Sequence, residues 1–281
     1  MFHPVKTIDV VAMVNPSDYI SSILSGVIVA LSSWLPTSPD SYTVVRVLSG
    51  VAQGYQEYLV PAYLGVTFAV LFYFKEKIAL GSQNALRGRF DSEIRYFAYA
   101  SLFTILLGYP LVRLTGLGGS RLADFVNSLV GFLFILTGLF LPRFRSIAQG
   151  FEDRMREERS EPTLLDSIIS GILQGVSLLG GLSRSGFVIL GLTLTGIDVK
   201  KTLELSFLVA PAYFIMRLAF MKGWNPSLPV SLLFTSFLAA FVVSLVTMKG
   251  LIKLSCVLGE KAFLAFFGVF AVLIYLLGVV L

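Results

Sequence analysis

The long stretches without Asp, Glu, Lys or Arg run 19–39, 58–74, 96–112, 125–142, 167–183, 185–197, 205–216, 223–248 and 262–281. A helix that crosses a bilayer needs about 20 apolar residues, with roughly 17 the lower limit. Stretches 58–74, 96–112, 125–142, 223–248 and 262–281 meet that requirement, and 205–216 joins them once its ends pass Glu204 and Arg217. The pattern predicts an all-α, polytopic integral membrane protein.

Residues 167–197 do not read as one span. Two apolar legs flank Arg184, and the tip between them reads Gly180-Gly181-Leu182-Ser183-Arg184-Ser185-Gly186. Gly- and Ser-rich backbone at membrane depth is tolerated only against protein or a watery cavity. The stretch is therefore predicted to be a re-entrant hairpin, leaving on the side it entered. Residues 19–52 have the same form, with a tip at Pro36-Thr37-Ser38-Pro39-Asp40-Ser41.

With both hairpins non-crossing, loops 75–95, 143–166, 198–203 and 249–261 share one side and hold fifteen Lys and Arg. Segments 46–57, 113–124 and 217–222 share the other side and hold five. Lys and Arg mark cytoplasmic loops, so loops 75–95 and 143–166 are predicted to be cytoplasmic and the protein a multi-pass protein of the cell membrane.

An internal repeat follows the same lines. Gly26 falls on Gly171, Ser32 on Ser177 and Ser38 on Ser183 without gaps, and Leu59-Val60-Pro61-Ala62-Tyr63 echoes Leu208-Val209-Ala210-Pro211-Ala212-Tyr213. The expected organisation is a single membrane domain of two inverted-topology repeats, 18–142 and 164–281. A charged connector over 143–163 joins them. Inverted repeats place a site near the midplane, where broken helices meet. The competing explanation is chance recurrence of small residues in membrane helices.

Composition agrees: 56% of residues are hydrophobic and 14% charged, against about a quarter charged in soluble domains. The net charge of +5 is accounted for by cytoplasmic loops and implies no nucleic acid. With Cys256 the lone cysteine and His3 the lone histidine, disulfides, cysteine metal clusters and a serine–histidine triad are excluded or left without parts.

A membrane-embedded arginine is costly and marks a functional site by default. The guanidinium of Arg184 suits phosphate, Ser183 and Ser185 add hydroxyl donors, and Gly181 and Gly186 let backbone N–H groups approach a ligand. A helix restarting at Ser185 would add its positive dipole end. The alternative is a structural Arg184 paired with a carboxylate. Asp40, on the opposing tip, is a candidate counter-charge or an exposed loop aspartate. Glu57 either points into the cavity or sits in a wet outer loop. Ser33, Thr37, Ser38 and Gln174 complete the expected substrate-binding set.

These residues resemble the undecaprenyl-diphosphate phosphatase family, the bacitracin-resistance membrane phosphatases. Gly181-Leu182-Ser183-Arg184-Ser185-Gly186 is similar to the family's Pro-Gly-x-Ser-Arg-Ser-Gly motif, with Gly180 at the proline. Glu204-Leu205-Ser206-Phe207-Leu208-Val209-Ala210-Pro211 resembles the family's next helix, and Trp34-Leu35-Pro36-Thr37-Ser38 its Phe-Leu-Pro-x-Ser segment. The resemblance runs from about residue 18 to 281. Val29 and Ser33 stand where the family's first motif has acidic residues, and Pro39 and Tyr42 where it has serine and histidine.

The resemblance implies hydrolysis of a polyprenyl diphosphate to the monophosphate, recycling a lipid carrier. Arg184 would hold the phosphates and Ser183 or Ser185 would position them or act as nucleophile. Asp40 and Glu57 would activate water or hold Mg²⁺ or Ca²⁺. A second reading keeps phosphate recognition without hydrolysis, in a polyprenyl-phosphate binding protein or flippase. Partners are then a membrane lipid and, as an option, a homodimer mate.

Overall fold

The computed structural model describes residues 15–52, 54–115, 119–148, 159–221 and 228–280. Gln53 and residues 149–158 of the charged connector lie outside them. Ten helices follow in chain order among the described residues: α1 Pro16–Trp34, α2 Tyr42–Ser49, α3 Leu59–Tyr73, α4 Lys75–Leu86, α5 Ser92–Thr115, α6 Arg121–Ala148, α7 Leu164–Val176, α8 Arg184–Leu194, α9 Val199–Phe220 and α10 Val230–Val280. Short single turns at Tyr55–Tyr58 and Ser177–Leu179 precede α3 and the second tip. The all-α membrane class holds. Helices α5, α6, α9 and α10 are long and apolar enough to cross a bilayer, and α3 with the preceding turn and α4 meet the same test only when taken together, across a 66° bend.

Local chemistry explains the boundaries. Asp198 caps α9 by accepting the Lys201 N–H at 2.9 Å, and Ser41 caps α2 through the Val44 N–H. Thr163 and Asp166 form a reciprocal capping box at the start of α7. Two predicted loops prove largely helical. Residues 75–95 contain α4, and 249–261 continue α10 with a single break at Gly259 (φ 71°, ψ 165°). Charge density marks them as loops, but Lys and Glu are good helix formers, and the helical runs break where Gly88 and Gly259 take positive φ.

Apolar side chains line the perimeter rather than fill one core. Leu102, Ile105 and Leu106 of α5, Phe132 of α6 and Val242 and Val246 of α10 are exposed. In water such a belt would be unstable; against acyl chains it is the expected surface. By contrast, α9 is the central post, with 67% of its apolar window buried against 22% for α5.

The helices pack through small residues. Gly26 of α1 lies against the Ser236 carbonyl and Ala239 in the first half of α10, and Gly171 of α7 against Ala100 and Phe103 of α5. In each case a Cβ would meet backbone, so a larger residue would force the helices apart. More broadly, α1 and α3 pack on α10, α7 and α9 on α5, and α6 on the second half of α10.

The two predicted groups of loops collect at opposite ends of the bundle. At one end Lys77, Glu93, Lys201 and Glu204 form an ionic cluster joining α4, α5 and α9. At the other, Arg46, Glu57, Arg113, Gly119 and Arg217 line one cavity. Helices α3, α5 and α9 connect the two ends.

Helices α7 and α8 form a hairpin based at the ionic end. There Arg159 reaches both Asp166 at the foot of α7 (3.3 Å) and the Thr195 carbonyl at the foot of α8. Helices α1 and α2 form a hairpin based at the cavity end. Ser22 donates to the Leu232 carbonyl near the start of α10, and Ser49 lines the cavity. The hairpins come from opposite ends, and their tips, 35–41 and 177–183, meet inside the bundle.

Candidate functional site

The second tip turns sharply because Gly180 and Gly181 both take φ of 75°, which an L side chain resists. At Gly181 a Cβ would also press on Ala123 and Gly119 at 3.0 Å. Asn127 of α6 clamps this tip: its amide donates to the Gly181 carbonyl at 2.7 Å, and its oxygen accepts the Ser183 N–H at 2.8 Å. Helix α8 begins one residue earlier than predicted, at Arg184, because Ser183 caps it through the Gly186 N–H at 3.1 Å. The Gly186 N–H, expected to face a ligand, is used by this cap.

Arg184 is buried at the seam, 3% exposed. It donates to the Ser206 carbonyl at 2.7 Å and the Ser33 carbonyl at 3.1 Å. Its guanidinium lies 5.2 Å from the ring of Trp34 and 5.5 Å from that of Phe214. Aromatic faces and carbonyl dipoles solvate a cation without cancelling its charge. Arg184 has no ion pair with a described carboxylate.

The serines beside it touch the opposing tip. Ser185 Oγ donates to the Leu35 carbonyl at 2.6 Å, and Ser183 Oγ lies 3.4 Å from Ser185 Oγ. A pocket of about 10 Å³, room for roughly one water, lies beside Arg184. Ser33, Thr37, Ser38 and Tyr213 help to line it. The Thr37 hydroxyl is buried there without a partner. Ser33 is occupied in its own helix, donating to the Val29 carbonyl at 2.6 Å. Gln174 instead braces the bundle, donating to Thr104 Oγ1 at 3.0 Å and the Val209 carbonyl at 3.2 Å.

Asp40 faces away from Arg184. Its carboxylate pairs with Arg217 and accepts the Tyr63 hydroxyl at 3.1 Å. The counter-charge expected for Arg184 thus belongs to a different arginine, because Pro39 turns the chain between the small pocket and the large cavity. The neighbouring Thr43 is tied to Asp124 of α6 by its N–H at 2.8 Å and its hydroxyl at 2.6 Å. Asp40 and Arg217 lie on the lining of the cavity, whose volume is about 1290 Å³, and Glu57 lines it too. Residues 37–40 of the first tip therefore stand between the Arg184 pocket and that cavity.

The family described as bacitracin resistance protein BacA matches residues 22–280. The chain belongs to that family. Relatives include proteins named undecaprenyl-diphosphatase from Methanopyrus kandleri, 28% identical over 84% of this chain and 88% of the relative, and from Methanococcoides burtonii, 24% identical over 90% and 96%. A third, from Neisseria gonorrhoeae, is 24% identical over 92% and 96%. In this BacA-family chain, sequence reasoning identified Arg184 and its serines but missed Asn127 and Arg217. Asn127 carries no sequence signal among ordinary helix residues. Arg217 ends an apolar helix and was counted as a loop charge, although it is 1% exposed.

Proposed function

We propose that the chain hydrolyses the diphosphate of a membrane polyprenyl carrier, releasing inorganic phosphate and leaving the polyprenyl monophosphate. One observation carries the reading: a guanidinium with no carboxylate on it, buried where two hairpin tips meet, one tip's width from a cavity that holds a carboxylate. The names of the relatives support the same chemistry.

Arg184 would hold the diphosphate, because its carbonyl partners leave its positive charge uncompensated. A pocket for one water cannot take a phosphate, so the first tip must part from the second to admit it. Ser183 and Ser185 lack the base a serine nucleophile requires: neither hydroxyl hydrogen-bonds to a carboxylate or imidazole among the described residues. They orient the headgroup instead. Water attacks the terminal phosphorus and passes its proton to Asp40. The bond to the bridging oxygen breaks, and that oxygen leaves on the monophosphate with its new charge held by Arg184. In this role Asp40 takes over from the acidic residues that the family resemblance implies at Val29 and Ser33.

The donors for a divalent ion do not fit. No three of His, Cys, Asp and Glu come together among the described residues. No step is therefore routed through Mg²⁺ or Ca²⁺ on Asp40 or Glu57.

The ionic end, rich in Lys and Arg, is assigned to the cytoplasm and the cavity to the opposite face. The partner exchange seen in packing supports two inverted repeats with re-entrant hairpins: α1 and α3 on α10, α7 and α9 on α5.

The test is phosphate release from undecaprenyl diphosphate by purified protein in detergent. Release by the native chain and its loss in Asp40→Asn are expected. Absence of release, together with movement of labelled lipid between liposome leaflets, would replace hydrolysis by the flippase reading.

A further inference from the structure

Arg217 is a second buried arginine among the described residues, and the serine motif does not account for it. It projects from the last turns of α9 onto the floor of the large cavity, 1% exposed. One terminal nitrogen meets Asp40, while its Nε and its other terminal nitrogen have no hydrogen-bond partner. Buried donors without acceptors are costly, and a guanidinium offers five donors in a fork that matches phosphate oxygens.

The surrounding lining suits an amphiphile. Arg113 and Arg46 share the lining with Arg217, against two carboxylates, Asp40 and Glu57, while Val45, Leu59, Val112 and Phe220 supply apolar surface. Arg113 is held over Tyr109 with its cation 5.6 Å from the ring, and it forms no ion pair with a described carboxylate.

The geometry points to Arg217 as a second anion-binding residue, which takes a phosphate group of a lipid diphosphate in the cavity while Asp40 occupies its place in the ligand-free protein. This rests on the lipid-diphosphate reading above and adds to it a residue and an exchange. Asp40 and the diphosphate compete for one guanidinium. Binding therefore releases the Asp40 carboxylate at the moment it is needed as a base, and frees the tip that separates the cavity from Arg184. Arg113, on the same lining, would steer the headgroup in.

The competition makes a prediction of opposite signs. Binding of farnesyl methylenediphosphonate, which cannot be hydrolysed, is measured by calorimetry on detergent-solubilised full-length protein. Arg217→Gln should weaken binding by about tenfold or more, the loss expected for charge-assisted hydrogen bonds. Arg217→Lys should fall between it and the native chain. Asp40→Asn should tighten binding several-fold, although it abolishes hydrolysis. A purely structural ion pair would instead move both variants the same way, or neither, and that result overturns the proposal. If Arg217→Gln does not fold, the sign of the Asp40→Asn effect decides alone. Arg217-dependent binding by a native chain that hydrolyses no diphosphate would sink the phosphatase reading and leave this site standing. Undiminished binding by Arg217→Gln in an active enzyme would do the reverse.

Discussion

The two tips solve one problem in two ways. Each brings irregular backbone and an arginine into the middle of an apolar bundle. The second tip, 177–183, turns on two glycines and is pinned by Asn127. Its arginine, Arg184, is solvated by carbonyls and aromatic rings. The first tip, 35–41, has no glycine. It turns at Pro36 and Pro39 and is pinned by hydroxyls, with Tyr55 donating to the Pro39 carbonyl at 3.0 Å and Tyr63 to Asp40. Its arginine comes from α9 and is neutralised by a carboxylate. Neutral dipoles hold a cation while leaving it able to attract an anion; a carboxylate holds it by cancelling it. The first arrangement suits a permanent phosphate holder, the second an exchangeable one.

The largest effect should come from removing the uncancelled charge. Arg184→Ala is expected to abolish phosphate release and to cut lipid-diphosphate affinity by at least two orders of magnitude, about 3 kcal/mol or more. Undiminished binding would end the comparison, because the second tip would then be structural only.

Next in size is the cost of breaking the carboxylate pair. Arg217→Gln should destabilise the fold by about 3–5 kcal/mol through the carboxylate left buried, and the double variant Asp40→Asn with Arg217→Gln should recover much of that. Denaturation in mixed micelles measures both. Equal losses in the single and double variants would mean that Asp40 reaches water without Arg217.

A smaller change tests how the second tip is pinned. Asn127→Ala removes two hydrogen bonds, each contributing about 1 kcal/mol. It should lower kcat more than it raises KM, since it misplaces Ser183 and Arg184 without touching the cavity. A change in KM alone would place Asn127 outside the site's support.

Much of the architecture could be read in advance. Hydropathy located the spans, and the glycines, serines and prolines placed the first tip within a residue and the second within three of where they lie. Such features are local: a glycine turn or an apolar run is written in adjacent residues. The loops at 75–95 and 249–261 were misread for the same local reason, since charge says where a segment is wet and not whether it is helical.

What the sequence by itself determined was the membrane class, the two interrupted hairpins, the division of the loops into two groups and the chemistry of the Ser183-Arg184-Ser185 tip. Only the tertiary structure decided which charges meet. Asp40 and Arg184 stand on opposing tips as candidate partners, yet Asp40 belongs to Arg217, 177 positions along the chain. Helix rotation and the turn at Pro39 direct each side chain to one of two neighbouring cavities. Those directions come from how all the helices pack, which no short stretch of residues encodes.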